Sequence, residues 1–178
     1  MPKPLLPTIT LFGWSVLAAV AWAASAAPPI PDALQVPTGE KLILKTHATG
    51  FQVYTCKQGS DGTLQWSLKT PEAELHDAKG AVIGHHFAGP TWKHKDGSQV
   101  SGKATAHVDA PEVDAIPWLL VTATDHAGVG VFANVSSIQR LHTKGGKAPA
   151  ASQCDASKSG DESKVSYTAD YYFYAAAK

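Results

Sequence analysis

The sequence predicts an all-β protein: one antiparallel sandwich or barrel of about nine strands, with at most one short helix. Three observations carry this. Apolar and β-branched residues recur in short runs with period-two alternation. Turn dipeptides such as Asp61-Gly62, Lys79-Gly80 and Asp96-Gly97 punctuate the chain at regular intervals. Extended helical periodicity is scarce.

Residues 1–26 stand apart from that pattern. Lys3 precedes an apolar run from Leu11 to Ala24, and Ala24-Ser25-Ala26 follows. This is the charged start, apolar middle and small-residue cleavage site of a signal peptide. The run is too short for the ~20 apolar residues a bilayer span needs, and prolines follow at once. No transmembrane span is expected after processing, and the protein is expected to be exported, periplasmic or extracellular. Residues 27–40 hold Pro28, Pro29, Pro31 and Pro37 and read as an extended lead-in. Residues 41–175 are then one β-rich domain, a length that supports a real core.

Lys41–His47 reads as the first strand, Ala48-Thr49-Gly50 as a turn, and Phe51–Cys56 as the returning strand of a hairpin, with Phe51, Val53 and Thr55 on one face. Leu64–Leu68 alternates again. Glu72–His76 fits either a strand or a single helical turn. Ala81–Phe87 is a strand broken by Gly89-Pro90, and Gln99–Val108 follows the Asp96-Gly97-Ser98 turn. Residues 109–117 form an acidic, proline-bracketed loop. Trp118–Thr124 is continuously apolar and β-branched, the pattern of a central strand buried on both faces. In 129–143 the three-residue spacing of Phe132, Val135, Ile138 and Leu141 suits a short helix while the β-branched content suits a strand, and the helix is the preferred reading. Residues 144–164 read as a surface loop, and Val165–Tyr174 as an aromatic strand.

Composition excludes some function classes. Lys plus Arg equals Asp plus Glu at 15 each, so formal charge is zero, and no basic field exists to gather phosphate backbones. Nucleic acid is not an expected partner. The two cysteines, Cys56 and Cys154, are most simply a disulfide in an oxidising compartment.

Six motifs follow in order: Gly50-Phe-Gln-Val-Tyr-Thr-Cys56, Trp66 with Pro71-Glu-Ala-Glu-Leu75, His86-Phe-Ala-Gly-Pro-Thr-Trp92 with Asp96-Gly-Ser98, Ile116-Pro-Trp-Leu-Leu120, Ile138-Gln-Arg140 with Thr143-Lys-Gly-Gly146, and Tyr167–Tyr174. Together they resemble domain of unknown function 3455, a family of exported bacterial and fungal proteins. The resemblance covers roughly residues 30–175 and implies export, one domain and a β-rich fold. It implies no reaction. Some fungal relatives carry the label malate dehydrogenase, and Gly128-Val-Gly-Val-Phe-Ala133 does match G-x-G-x-x-A. The chain lacks the alternating strands and helices that a dinucleotide fold requires, and it has a single arginine, so that activity is not expected.

The candidate ligand-binding residues are His86, Trp92, Asp96, Trp118 and Arg140. The window 82–102 packs three of the eight histidines with Trp92 and two turns. His86 and His94 could meet across a turn, but a metal would need a third ligand that no motif supplies, so neither metal nor cofactor is expected. Arg140 is the only arginine beside fourteen lysines. Its planar fork suits a structural pair with a carboxylate such as Asp170 or Glu72, or the grip of an anionic ligand. Of Tyr172 and Tyr174 on one face and Tyr171 and Phe173 on the other, one face could be exposed. Ser98 and Ser101 lie near histidines without a nucleophile elbow.

The reading is an exported, non-catalytic ligand-binding or envelope-associated module. Its groove would lie near Trp92, Trp118 and the 86–98 loop, and its partner would be a small molecule, a glycan or an envelope component. A secreted hydrolase or metal-dependent oxidoreductase using His86 and Asp96 is the alternative. The sequence sets no oligomeric state.

Overall fold

A computed structural model describes residues 29–177. The signal peptide read in residues 1–26 lies outside the described residues. Eight strands form a closed, up-and-down antiparallel barrel: β1 (Glu40–Gln58), β2 (Leu64–His76), β3 (Val82–Phe87), β4 (Thr91–His94), β5 (Gln99–Val108), β6 (Trp118–Ala127), β7 (Ser137–Gly145) and β8 (Glu162–Ala176). Each strand pairs with the next, and β8 closes on β1. Among the described residues the only helical pieces are three-residue 3-10 turns at Asp32–Leu34, Ala151–Gln153 and Ala156–Lys158.

The strand count falls by one because the first expected hairpin is a single strand. Residues 48–50 do not turn; Ala48, Thr49 and Gly50 pair with β2 and β8 in unbroken register. The small side chains are needed for close approach, since a Cβ on Gly50 would lie 2.1 Å from the Glu72 carbonyl oxygen. Glu72–His76 is likewise the continuation of β2. Pro71 is tolerated inside β2 because β3 pairs only from Ala73 onward, so no partner asks for its missing amide.

The helix expected in 129–143 is absent; residues 131–134 are a turn and β7 follows. The three-residue spacing had a different cause. Ile138 faces into the barrel, and Leu141, an odd number of positions away, faces out onto Trp118 and Leu34. Trp118–Thr124 is not a strand buried on both faces along its length. Val121 is buried in the barrel and Trp118 outside it, while Thr122 and Thr124 are exposed. The outer cover over Trp118 is short: Leu34 of the lead-in, with Ile30 packed beside it. Gln139 fixes this strap by donating to the Leu34 carbonyl at 2.6 Å.

The barrel core is built from Ala48, Leu75, Trp92, Val100, Val121, Phe132, Ile138, Tyr171 and Phe173, among others. The 109–117 loop closes onto one end: Ala115 bridges Gly146, Ile116 donates to the Gly145 carbonyl, and Tyr54 donates to the Gly146 carbonyl at 2.7 Å. Cys56 and Cys154 are disulfide-bonded, tying the end of β1 to the 146–161 loop.

Candidate functional site

Alternation along β8 sends Tyr167, Ala169, Tyr171 and Phe173 inward, and cross-strand partners share that face. Tyr171 pairs with Thr46 on β1 and with Arg140 on β7. Its ring lies 5.2 Å from His86 and 5.5 Å from Trp92, and those two rings stack on each other at 4.4 Å. Three of the candidate residues, His86, Trp92 and Arg140, are therefore brought together inside the barrel.

His86 is buried, and its Nδ1 sits 2.9 Å from the Thr91 carbonyl oxygen. A carbonyl only accepts, so Nδ1 carries the proton. Burial pushes the imidazole pKa down to about 3, the Thr91 bond opposing it and the Arg140 charge adding to it. His86 is thus a neutral ring. The phenols of Tyr167 and Tyr171 are pushed upward, chiefly by burial.

Arg140 is half-buried and aims its Nε and Nη2 at the Pro117 carbonyl, at 3.1 and 2.8 Å. The expected carboxylate partners are engaged elsewhere. Asp170, one residue from Tyr171, faces out by strand alternation and meets Lys45, His47 and His142 at 3.1, 2.9 and 3.2 Å. Glu72 is held by Lys164 at 2.6 Å. Among the described residues no carboxylate pairs with Arg140.

Asp96 and Trp118 do not join this group. Asp96 accepts from the Ser98 hydroxyl at 2.6 Å, the Ser98 amide at 2.8 Å and the Val131 amide at 2.8 Å, and pairs with His94 at 3.0 Å. Those bonds hold its carboxyl well below the usual range, the Ser98 hydroxyl contributing most. Asp96 is a staple between the β4–β5 turn and residues 128–132. That staple also accounts for Gly128–Ala133: Gly130 packs where a Cβ would strike the Asp96 carboxylate, and no helix follows. Trp118 packs with Leu34 and Leu141 on the outer wall and meets His142 edge-on at 5.3 Å. Trp92 and Trp118 line no common groove.

The histidines do not converge either. His86 pairs with Trp92 and His94 with Gly84, while His85 points outward. Among the described residues no group of three His, Cys, Asp or Glu side chains is arranged to hold a metal ion. Ser98 is buried against Asp96, and Ser101 shares a hydrogen bond with Thr91 at 2.9 Å.

Sequence reasoning missed a second feature. A groove of about 830 Å³ runs across five neighbouring strands, β7, β8, β1, β2 and β3. Most of its lining side chains come from the outer face, among them Thr49, Ser166 and Thr168, with Phe51 and Phe87 exposed at 41% and 37% and Glu72 between them, while the inward-facing His86 and Tyr167 also border it. The miss follows from reading β1 with the wrong face inward. Gln52, Tyr54 and Cys56 are buried and Phe51 is exposed, against the apolar-in expectation, although Val53 is buried as expected. On β8 the exposed-face question resolves cleanly: Tyr171 and Phe173 are buried, and Tyr172 and Tyr174 are half-buried outside.

The sequence profile of a family described as "Protein of unknown function (DUF3455)" matches residues 37–175. No curated protein and no solved structure matches the chain.

Proposed function

The chain belongs to the DUF3455 family, and from its outer-wall groove we propose that it is an exported, non-catalytic module that binds a carbohydrate chain of the cell envelope or its surroundings. The observation that supports this is the row Phe51–Glu72–Phe87. Phe51 lies opposite Glu72, and the pairing of Ala73 with His86 sets Phe87 on the other side of Glu72. The two rings are two strand spacings apart, roughly 9–10 Å, a distance that suits alternate rings of a linked pyranose chain. Aromatic faces cover the apolar C–H faces of sugars, and a few placed polar groups fix orientation. Glu72, Thr49, Ser166 and Thr168 supply those groups. Contiguous exposed apolar patches, unlike single exposed residues, mark interaction sites, and here the two rings lie in one groove. Export is supported by the signal-like residues 1–26 and by the Cys56–Cys154 disulfide.

The enzymatic reading finds less support. Glu72 and Glu74 share the groove but lie on its open wall, with Glu72 tied to Lys164, so neither has the water-excluded surroundings of a general acid. In the His94–Asp96–Ser98 group both His94 and Ser98 bond the carboxylate, so no base reaches the hydroxyl.

Co-sedimentation with insoluble cell-wall polysaccharide tests the proposal. The wild type should be retained, and the Phe51→Ala/Phe87→Ala double variant should be released with its melting curve intact, since both rings are exposed. Equal retention of the two proteins would refute the groove as the site.

A further inference from the structure

Independently of the outer groove, the interior of the barrel carries a second site. We propose that the interior face around Arg140, Tyr171 and Trp92 binds a monovalent anion of the carboxylate type.

Charge is the first argument. A guanidinium cannot give up its proton at any accessible pH. Arg140 faces the interior from β7, neighbours Tyr54, His86, Tyr167 and Tyr171, and has no carboxylate partner among the described residues. A cation drawn out of water is retained where a counter-charge or a full set of acceptors meets it. The Pro117 carbonyl takes two of its five N–H groups and the Tyr171 hydroxyl lies close to the guanidinium, which still leaves N–H groups with no charged acceptor among the described residues. His86, the titratable ring on the opposite wall, is neutral and offers no compensation.

The second argument is the type of the unpartnered groups around it. Trp92 Nε1, Gln52 Nε2 and Thr46 Oγ1 are buried and have no hydrogen-bond partner within the protein, and the equally buried Tyr167 and Tyr171 hydroxyls approach only each other and Arg140, short of good hydrogen-bond geometry. They are contiguous: Thr46 and Arg140 flank Tyr171 in the register, Trp92 meets it edge-on, and Gln52 and Tyr167 both approach Gly146. Buried polar groups are nearly always satisfied, so this set of donors gathered around Tyr171 calls for a common partner. Tryptophan and the amide nitrogen can only donate, and hydroxyls can donate. A set of donors around a fixed positive charge selects an acceptor bearing negative charge. One arginine among otherwise neutral donors balances a single negative charge; a dianion would leave net charge buried. A planar carboxylate matches the fork of the guanidinium.

The test is a titration of the disulfide-bonded protein with sodium formate at constant ionic strength, with sodium chloride in parallel. The readout is the indole N–H resonances of Trp66, Trp92 and Trp118, assigned by Trp92→Phe. The Trp92 resonance should move with saturation while Trp66 and Trp118 stay fixed. Arg140→Gln should abolish the response, and Tyr171→Phe, which removes one hydroxyl and little volume, should weaken it by about tenfold. If Arg140→Gln does not fold, Tyr171→Phe decides alone, and an unchanged affinity there overturns the proposal. It is also overturned by no saturable shift at Trp92, which would leave buried water as the partner of these donors. A response surviving Arg140→Gln, or one to chloride and not formate, overturns it too.

Discussion

His86 is a neutral ring sealed in the barrel, and acid should destabilise the fold through it. Its folded pKa lies near 3 against 6.5 for the free side chain. Between those values the unfolded chain binds a proton that the folded chain refuses. Stability therefore falls as pH drops below about 6.5, and His86 contributes no pH dependence above it. One pH unit inside that window costs up to about 1.4 kcal/mol. Moving from pH 7 to pH 5 should thus remove about 2 kcal/mol, a sizeable part of a typical folding free energy. Urea unfolding at both pH values, followed by tryptophan fluorescence, measures the loss. Other groups titrate as well, so the diagnostic is the comparison with His86→Phe, which keeps a ring against Trp92. That variant should start about 1–3 kcal/mol lower at pH 7, because the Thr91 carbonyl loses its donor. Its further loss on going to pH 5 should be smaller than the wild type's by about 2 kcal/mol. Equal losses in both proteins would refute the assignment of His86 as a buried neutral imidazole.

Cys56→Ser should lower the melting temperature under oxidising conditions. The bond spans 98 residues, and its loss returns about 4–5 kcal/mol of unfolded-state entropy; wild type under strong reductant should fall to the same value. Leu34→Ala should cost about 2–4 kcal/mol, because Leu34 is fully buried against Trp118 and Leu141, and a melt within half a degree of wild type would show that the lead-in strap is not part of the cooperative unit. Asp96→Ala should speed amide exchange at Val131 and Phe132 while leaving β8 protected, since Asp96 takes the Val131 amide directly and holds Ser98, which takes that of Phe132. In the wild type that staple should persist through mild acid and loosen only below the ordinary carboxylate range, because the folded pKa is depressed. Unchanged exchange rates in the variant would contradict the staple.

Much of the fold was legible because turns and alternation are local. Asp61-Gly62, Lys79-Gly80 and Asp96-Gly97 each mark a real reversal, with positive φ at the glycine. What local signals could not give was closure of the sheet. Ala48-Thr49-Gly50 carries the composition of a turn, yet there those small residues let β1 run flush against β2. Leu141 and Trp118 look like core residues of a helix and of a central strand, and both are outer-wall residues covered by Leu34 and Ile30 of the lead-in, a contact at long sequence separation. Of the candidate residues, His86, Trp92 and Arg140 lie near one another inside the barrel, while Asp96 is engaged in a turn staple, a role that uses the same residue type as a ligand.

The reversed faces of β1 join both sites to one physical cause. Sequence patterning assumes that the buried face of a strand is its apolar face. On β1 that rule fails at Thr46, Phe51 and Gln52: the inward positions are Thr46, Ala48, Gly50, Gln52 and Tyr54, and of the outward ones Phe51 is exposed while Val53 is buried. A strand chosen only for stability would place Phe51 inside and Gln52 outside, and a one-residue slip of register would achieve it. The register is instead locked by Gly50 against Glu72, by Cys56 to Cys154, and by Tyr54 to the Gly146 carbonyl. Holding unpartnered donors inside and a phenylalanine outside costs free energy on both faces. Local violations of this kind are expected where a surface serves a ligand rather than the core. Thr46 and Gln52 bring β1 to the Arg140 donor set from within, and Thr49 and Phe51 bring the same strand to the groove from without. Exchanging the two faces locally, as Phe51→Gln with Gln52→Phe, should therefore abolish polysaccharide retention and weaken the formate response together, whichever way the melting temperature moves. Retention of both activities would show that the inversion serves neither site.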